Sequence, residues 1–366
     1  MKKILTLIIL CIVFTGNLHF SESIDLSGDN YILMEENSGR VLMENDIYSQ
    51  MHMASTTKIM TALIAIELGD LEEYVEITEE SVGVIGSSIY LELDEKVKLK
   101  DLIYGLMLRS GNDASVAIAN HVGGSEEEFV EEMNKRAEEI GAKNTHFTNP
   151  HGLHDENHYS TPYDMALITR EALSNETFSL IWGSKSFTSE REKNNHFVNK
   201  NKTLWDYEGG DGGKTGYTSD AGRCLVSTAI RDNMRLIAVS LNASDWFNDN
   251  YKLFDYGFEN YSLYTIYNKG QLLKKVKVKD GSKDDLILVS DENLLYPMKK
   301  EEVEDIKLNM DINKEVSIPV STGEKYGSIK TYLDGKIIKN NDLFAKYEIK
   351  KRPLFQKIID IIENNI

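Results

Sequence analysis

One run, GGDGGKTG at residues 209–216, restricts the fold of this chain more than any other segment. A glycine-rich stretch ending in Lys-Thr suggests a phosphate cradle, but a P-loop needs G-x-x-x-x-G-K-[ST] set between a strand and a helix. Counting back from Gly213-Lys214-Thr215, the leading glycine should stand at position 208, which is Glu208. The segments that follow, CLVSTAI and RLIAVSLNA, are apolar and β-branched with RDNM between them, and they predict a hairpin instead of a helix. The phosphate reading fails on spacing and on context, so Lys214 must serve other chemistry.

Strands also open the chain. NYILMEENSGRVLMEN (30–45) alternates and turns at Asn37-Ser38-Gly39, a hairpin signal. From Ser55 to about Leu68 the period changes: Ile59, Leu63 and Ile66 recur at three- and four-residue spacing, and Ser55 suits the helix start. Residues 101–141 and 162–175 are also helical in pattern, strands return over about 220–243, and a last helix fits 246–258. Strands first and last with helices between predict an α/β (α+β) domain over 24–262. Its central antiparallel sheet is completed by both ends of the segment and covered by a helical cluster.

After Tyr261 short alternating strands follow at near-regular spacing, with a tight turn at Asp334-Gly335, and predict a small all-β, sandwich-like domain over 263–350. Residues 351–366 form a wide apolar face (Leu354, Phe355, Ile358, Ile359, Ile361, Ile362, Ile366) behind the basic cluster Lys350, Lys351, Arg352 and Lys357. Such a helix is too short to span a bilayer and suits the membrane interface. At the other end, two lysines lead about a dozen apolar residues and then Ser21 and Ser23, the pattern of a secretory signal over 1–23. Cys11 lies inside it, leaving Cys224 as a buried small hydrophobe without a disulfide partner. A net charge of −18 argues against nucleic acid as a partner.

Lys214 finds partners in two other triplets. ASTTKIM holds Ser55-x-x-Lys58, a spacing that stacks hydroxyl and amine about one helical turn apart. A desolvated, neutral lysine there can take the serine's proton and create a nucleophile. LRSGNDAS supplies Ser110-Gly111-Asn112. S-x-x-K, a middle Ser and Asn, and K-T-G, in order and with K-T-G opening a strand, form the signature of penicillin-recognising serine enzymes, here with S-G-N in place of S-D-N. His151, His154 and His158 in HGLHDENH have the close spacing of zinc ligands, but they lie in a loop without a companion ligand helix. No metal and no organic cofactor is expected.

With ASTTKIMTAL, SGNDAS, NPHGL, HYSTPYDMALI and DGGKTGYTSDAG on the page, the chain resembles the low-molecular-weight penicillin-binding proteins, serine-type D-alanyl-D-alanine carboxypeptidases. The resemblance covers nearly the whole chain. It implies that Ser55 attacks the carbonyl of the penultimate D-alanine, that Lys58 is the general base, and that Ser110 relays the proton to the leaving amine. It implies that Asn112 holds Lys58 and the substrate's peptide carbonyl, that Lys214 and Thr215 bind the terminal carboxylate, and that Gly216 leaves room for substrate. The backbone N–H groups of Ser55 and Tyr217 form the implied oxyanion hole. The implied partners are peptidoglycan stem peptides ending in D-Ala-D-Ala, β-lactams as inhibitors, and a membrane surface; the implied location is the outer face of the cytoplasmic membrane.

The chain departs from this pattern at SDWFNDNYK (244–252), acidic and aromatic where many relatives have a basic residue for the carboxylate. Other readings share the nucleophile. A β-lactamase of class A needs E-x-x-L-N, and EALSN (171–175) sets Leu173 one position early. Endopeptidase activity on cross-links stays open within the same chemistry. A non-catalytic cell-wall binding protein is disfavoured by the intact Ser55, Lys58, Ser110, Asn112 and Lys214.

Overall fold

The computed structural model describes residues 24–312, 316–353 and 355. The hairpin β1 (Asn30–Glu35) and β2 (Val41–Asn45) leads into α1 (Lys58–Leu68), then the short strands β3 (Tyr74–Glu76) and β4 (Lys96–Lys98). Helices α2 (Leu99–Tyr104), α3 (Asn112–Gly123), α4 (Glu126–Ile140), α5 (Pro162–Leu173) and α6 (Glu176–Trp182) follow. A ribbon of β5 (Ser186–Thr188) and β6 (His196–Val198), the one-turn α7 (Thr203–Asp206), the meander β7 (Gly210–Thr218), β8 (Gly222–Arg231), β9 (Met234–Leu241), and α8 (Trp246–Asn260) complete this part.

The main sheet has the order β2-β1-β9-β8-β7, antiparallel throughout, so the first and last strands of the segment meet where β1 pairs with β9. Alternation decides its two faces. Ile32, Met34, Val226 and Val239 face the helical cluster, whereas Leu33, Leu236 and Ala238 pack under Leu253 and Phe254 of α8. Helix α1 is buried on every side from Lys58 to Ala65, which makes it the axis of the cluster.

The stretch 101–141 is broken twice. A π-turn at Gly105–Arg109 ends at Ser110, which takes a left-handed φ of 65°, and Gly124 (φ 86°) separates α3 from α4. The helix predicted from Ser55 begins as a 3-10 turn, Ala54–Thr57, and becomes α-helical only at Lys58.

The glycines of 209–216 have a packing explanation. A Cβ at Gly210 would lie 2.0 Å from the Thr203 carbonyl oxygen, at Gly212 1.8 Å from the Trp182 ring, and at Gly213 1.8 Å from Asn201 Nδ2. At Gly216 it would lie 2.9 Å from the Ser55 nitrogen. Strand β7 is the sheet edge onto which α6, α7 and the nucleophile turn are pressed directly. Trp182 is buried and donates from Nε1 to Thr228 Oγ1 at 2.8 Å, so the indole cannot retreat.

Beyond α8, β10 (Ser262–Tyr267) pairs with β13 (Leu294–Met298), and β11 (Lys274–Lys277), β12 (Asp285–Val289), β16 (Lys336–Ala345), β15 (Lys325–Leu333) and β14 (Lys307–Ile312) form a second five-stranded sheet in that order. Leu286, Leu288, Ile329, Leu343 and Ile349 fill its core. Arg40, just past the first hairpin's turn, forks onto Glu302 (2.6 and 3.0 Å) and the Pro297 carbonyl (2.7 Å), with Tyr261 and Tyr296 beside its guanidinium. No described helix is long and apolar enough to cross a membrane. The 1–23 signal, and all but the first few residues of the 351–366 helix, lie outside the described residues.

Gly212→Ala is expected to cost ~1–3 kcal/mol of stability or more, as overpacking a core does, and so to lower Tm, since the Cβ meets a hydrogen-bonded ring. Thermal unfolding followed by near-UV circular dichroism checks it; an unchanged Tm would contradict this packing.

Candidate active site

Ser55 sits in the 3-10 turn ahead of α1, and Lys58 is the first residue of the helix proper. Three residues of separation there bring Lys58 Nζ to 3.0 Å from Ser55 Oγ. The same nitrogen lies 2.7 Å from Asn112 Oδ1 and 2.5 Å from the His151 carbonyl oxygen. A neutral amine has two N–H donors and one lone pair. Donating to Asn112 and His151 leaves that lone pair for the Ser55 hydroxyl. Lys58 is wholly buried, and desolvation, followed by the charge of Lys214, holds its pKa well below the usual lysine range against a smaller opposing effect of Asp113.

The Ser110 hydroxyl lies 3.0 Å from Lys214 Nζ, which also donates to the Thr215 carbonyl at 2.8 Å. Lys214 is buried, and desolvation, then the neighbouring Lys200, brings its pKa down to about 7. Two non-glycine residues take left-handed backbone at the site: Ala54 (φ 48°), next to the nucleophile, and Ser110. Such conformations persist where the surroundings over-determine them.

Gly216 brings β7 against the Ser55 backbone, so the N–H groups of Ser55 and Tyr217 belong to adjoining segments at the mouth of the site. Ser55 and Thr215 are half-buried and Tyr217 is 66% exposed, so a ligand can reach all three. The structure therefore gathers all the candidate residues of the three triplets. It also spends one N–H of Asn112 on the Ile85 carbonyl (2.6 Å), leaving the other for a ligand.

Several contributors lie outside the three catalytic triplets. The loop 149–154 wraps behind α1, where Thr61 Oγ1 donates to the Pro150 carbonyl and Gly152 (φ 85°) passes so close that a Cβ would sit 1.9 Å from the Ala54 oxygen. His158 accepts at Nδ1 from the Thr148 N–H (3.0 Å), so its Nε2 donates to Thr57 Oγ1 (2.7 Å), which donates onward to the Ala54 carbonyl (2.8 Å). Burial holds His158 down to about 4 and His151 to about 3, so both are neutral supports of the serine turn. The loop 85–91 is pinned by Asp113, which accepts from the Ile89 and Leu91 N–H groups and from Ser88, and by the buried Arg191 guanidinium on the Ile89 and Tyr90 carbonyls. Cys224 is buried and its thiol pushed up to about 12, which removes it as a nucleophile. Trp182 is buried, whereas Trp205 is 51% exposed with Lys185 over its ring. The one lysine of 244–252, Lys252, donates to the Asp25 carbonyl.

The family model described as D-alanyl-D-alanine carboxypeptidase matches residues 18–245, and that of the penicillin-binding protein 5 C-terminal domain matches 261–351. The D-alanyl-D-alanine carboxypeptidase DacF of Bacillus subtilis is 37% identical over 331 residues, covering 87% of this chain and 85% of the relative. DacA of Haemophilus influenzae, a D-alanyl-D-alanine carboxypeptidase, is 32% identical over 351 residues, covering 92% and 88%. Among solved structures, penicillin-binding protein 5 from Haemophilus influenzae superposes with a TM-score of 0.77 at 31% identity, covering 90% of this chain and 99% of that one.

With Lys58 as the base and Lys214 as the anion's partner, the two lysines would set the pH dependence of a reaction at Ser55. Lys58 must be neutral to accept the proton, so the rate falls as acid protonates it. Lys214 must be protonated to attract an anion, so in the free enzyme attraction fades above about pH 7. A bell-shaped second-order acylation rate is expected, with an alkaline limb that disappears in Lys214→Gln as the rate drops. Stopped-flow acylation across pH checks this; an alkaline limb retained by the variant would assign it to another group.

Proposed function

The chain belongs to the D-alanyl-D-alanine carboxypeptidase family, and we propose that it removes the terminal D-alanine from peptidoglycan stem peptides through an acyl-enzyme on Ser55. The observation that carries the reading is the triply held, buried Lys58 amine with its lone pair left for the serine hydroxyl.

Ser55 Oγ attacks the carbonyl carbon of the penultimate D-alanine as its proton passes to Lys58. The developing oxyanion takes hydrogen bonds from the Ser55 and Tyr217 N–H groups, each worth roughly 10²–10³ in rate. The C–N bond to the last D-alanine then breaks. Ser110, hydrogen-bonded to Lys214, hands its proton to the departing amine and regains one from the Lys58 ammonium, which leaves an ester on Ser55 and a neutral Lys58. Lys58 next takes a proton from water as the water attacks the ester carbonyl, and returns it to the Ser55 oxygen as the acyl C–O bond breaks, freeing the shortened peptide and the serine. Asn112 keeps Lys58 oriented and offers its remaining N–H to the substrate. Lys214 draws the terminal carboxylate to this end of the cleft beside Thr215, and Gly216 lets the peptide lie along β7.

A β-lactam presents a similar carbonyl, but its leaving group stays tethered, so the acyl-enzyme is trapped. The class A β-lactamase alternative gains no support at 171–175, because Glu171 is bound to Arg136 at 2.5 Å. We further propose that residues 1–23 direct export and that 351–366 lie on the outer face of the cytoplasmic membrane; these two readings rest on sequence.

Incubation with a β-lactam is expected to add one drug mass to the protein and none to Ser55→Ala, and pentapeptide is expected to release D-alanine with the unmodified protein only. Drug consumption without a lasting adduct would replace this reading with a β-lactamase. Removing 353–366 is expected to move the protein from the membrane pellet to the supernatant; retention in the pellet would refute the anchor.

A further inference from the structure

On the reading that the cleft takes a peptide ending in a carboxylate, its positive charge needs a contact surface, and Lys214 offers little of one. Only 2% exposed, it already donates to Ser110 Oγ and to its neighbour's carbonyl. A buried ammonium sets a field but leaves the oxygens of a ligand to find donors elsewhere.

Two other cations share that field. Arg109 ends the π-turn and immediately precedes Ser110. Lys200 follows β6, whose Phe197 ring packs against Gly105 of the same turn. Its neighbours fix its position. Asn199 and Asn201 are both buried; Asn199 Oδ1 accepts from the Asn201 N–H (2.9 Å), and Asn201 Oδ1 accepts from the Thr203 N–H (2.9 Å). The Asn201 amide lies on Gly213, the residue before Lys214. The backbone is thus held on both sides while the Lys200 side chain is exposed.

The three charges act on one another: after burial, Lys200 lowers the pKa of Lys214, and Arg109 lowers that of Lys200. Among the described residues, neither Arg109 nor Lys200 makes an ion pair or a side-chain hydrogen bond, although the chain carries 59 Asp and Glu against 41 Lys and Arg. Two uncompensated cations beside a third repel each other until an anion arrives.

We propose that Arg109 and Lys200 form a carboxylate-recognition rim that touches substrate directly, with Lys214 holding the field behind it. The guanidinium fork suits a carboxylate's two oxygens, and the ammonium adds a point charge. The pair does the work of the basic side chain that 244–252 does not bring to the site. The carboxylate is either the peptide's C-terminus or another on the stem.

Binding to the full chain carrying Ser55→Ala separates these cases by calorimetry. Acyl-D-Ala-D-Ala is compared with its C-terminal amide and with an amide bearing one side-chain carboxylate. The acid is expected to bind roughly 10-fold tighter than the plain amide, and Arg109→Gln or Lys200→Gln should each erode that preference while leaving the amide's affinity unchanged. Preference confined to the side-chain carboxylate, and lost in the same variants, would make the rim a reader of the stem. A preference surviving both substitutions, or a parallel loss for acid and amide, would overturn the proposal. Failure of a β-lactam to label the unmodified protein would instead strike at the hydrolase reading, and the acid-to-amide comparison would still decide the rim.

Discussion

A lysine kept out of water beside a serine is the constraint on which this architecture turns. An ammonium cannot be buried cheaply, so a buried lysine sheds its charge and then needs a partner for each remaining N–H. The Asn112 side chain supplies one acceptor from the start of α3, and the His151 carbonyl supplies the other from a loop on the far side of α1. Both must converge on the first turn of a helix that is itself enclosed. Placing α1 at the axis of the helical cluster, with the sheet edge β7 against its start, satisfies this in one arrangement.

Much of that was legible in the sequence, because the chemistry demands particular side chains at particular local spacings. Ser55 and Lys58 must be three apart on a helix, and the apolar alternation around 220–243 gives the sheet that carries Lys214. The hairpin near the start and the strands near the end pair as the antiparallel expectation required. Other parts were opaque for a physical reason. The His151 carbonyl acts through backbone, and a backbone oxygen has no residue identity to recognise. Its trace was the NPHGL run, where Gly152 is required because a positive φ beneath Ala54 admits no side chain. The break at Ser110 was hidden as well: Gly111 hinted at it, but apolar periodicity runs through the π-turn without interruption.

The glycine run shows both sides of this. Its spacing and context excluded a phosphate loop, yet why four of its five glycines are needed emerges only from the partners above them: a carbonyl, an indole, an amide and the nucleophile's own nitrogen. Sequence reports a lack of side chain at each position; what fills the space is a long-range fact.

That filling bears on drug resistance. A target escapes an inhibitor most simply by thickening a wall of its cleft, and here the β7 wall has no room for even a methyl at 210, 212, 213 or 216. Reshaping of the cleft that keeps this strand packed must fall at other positions, among them the segment around Ile85, whose side chain is 80% exposed.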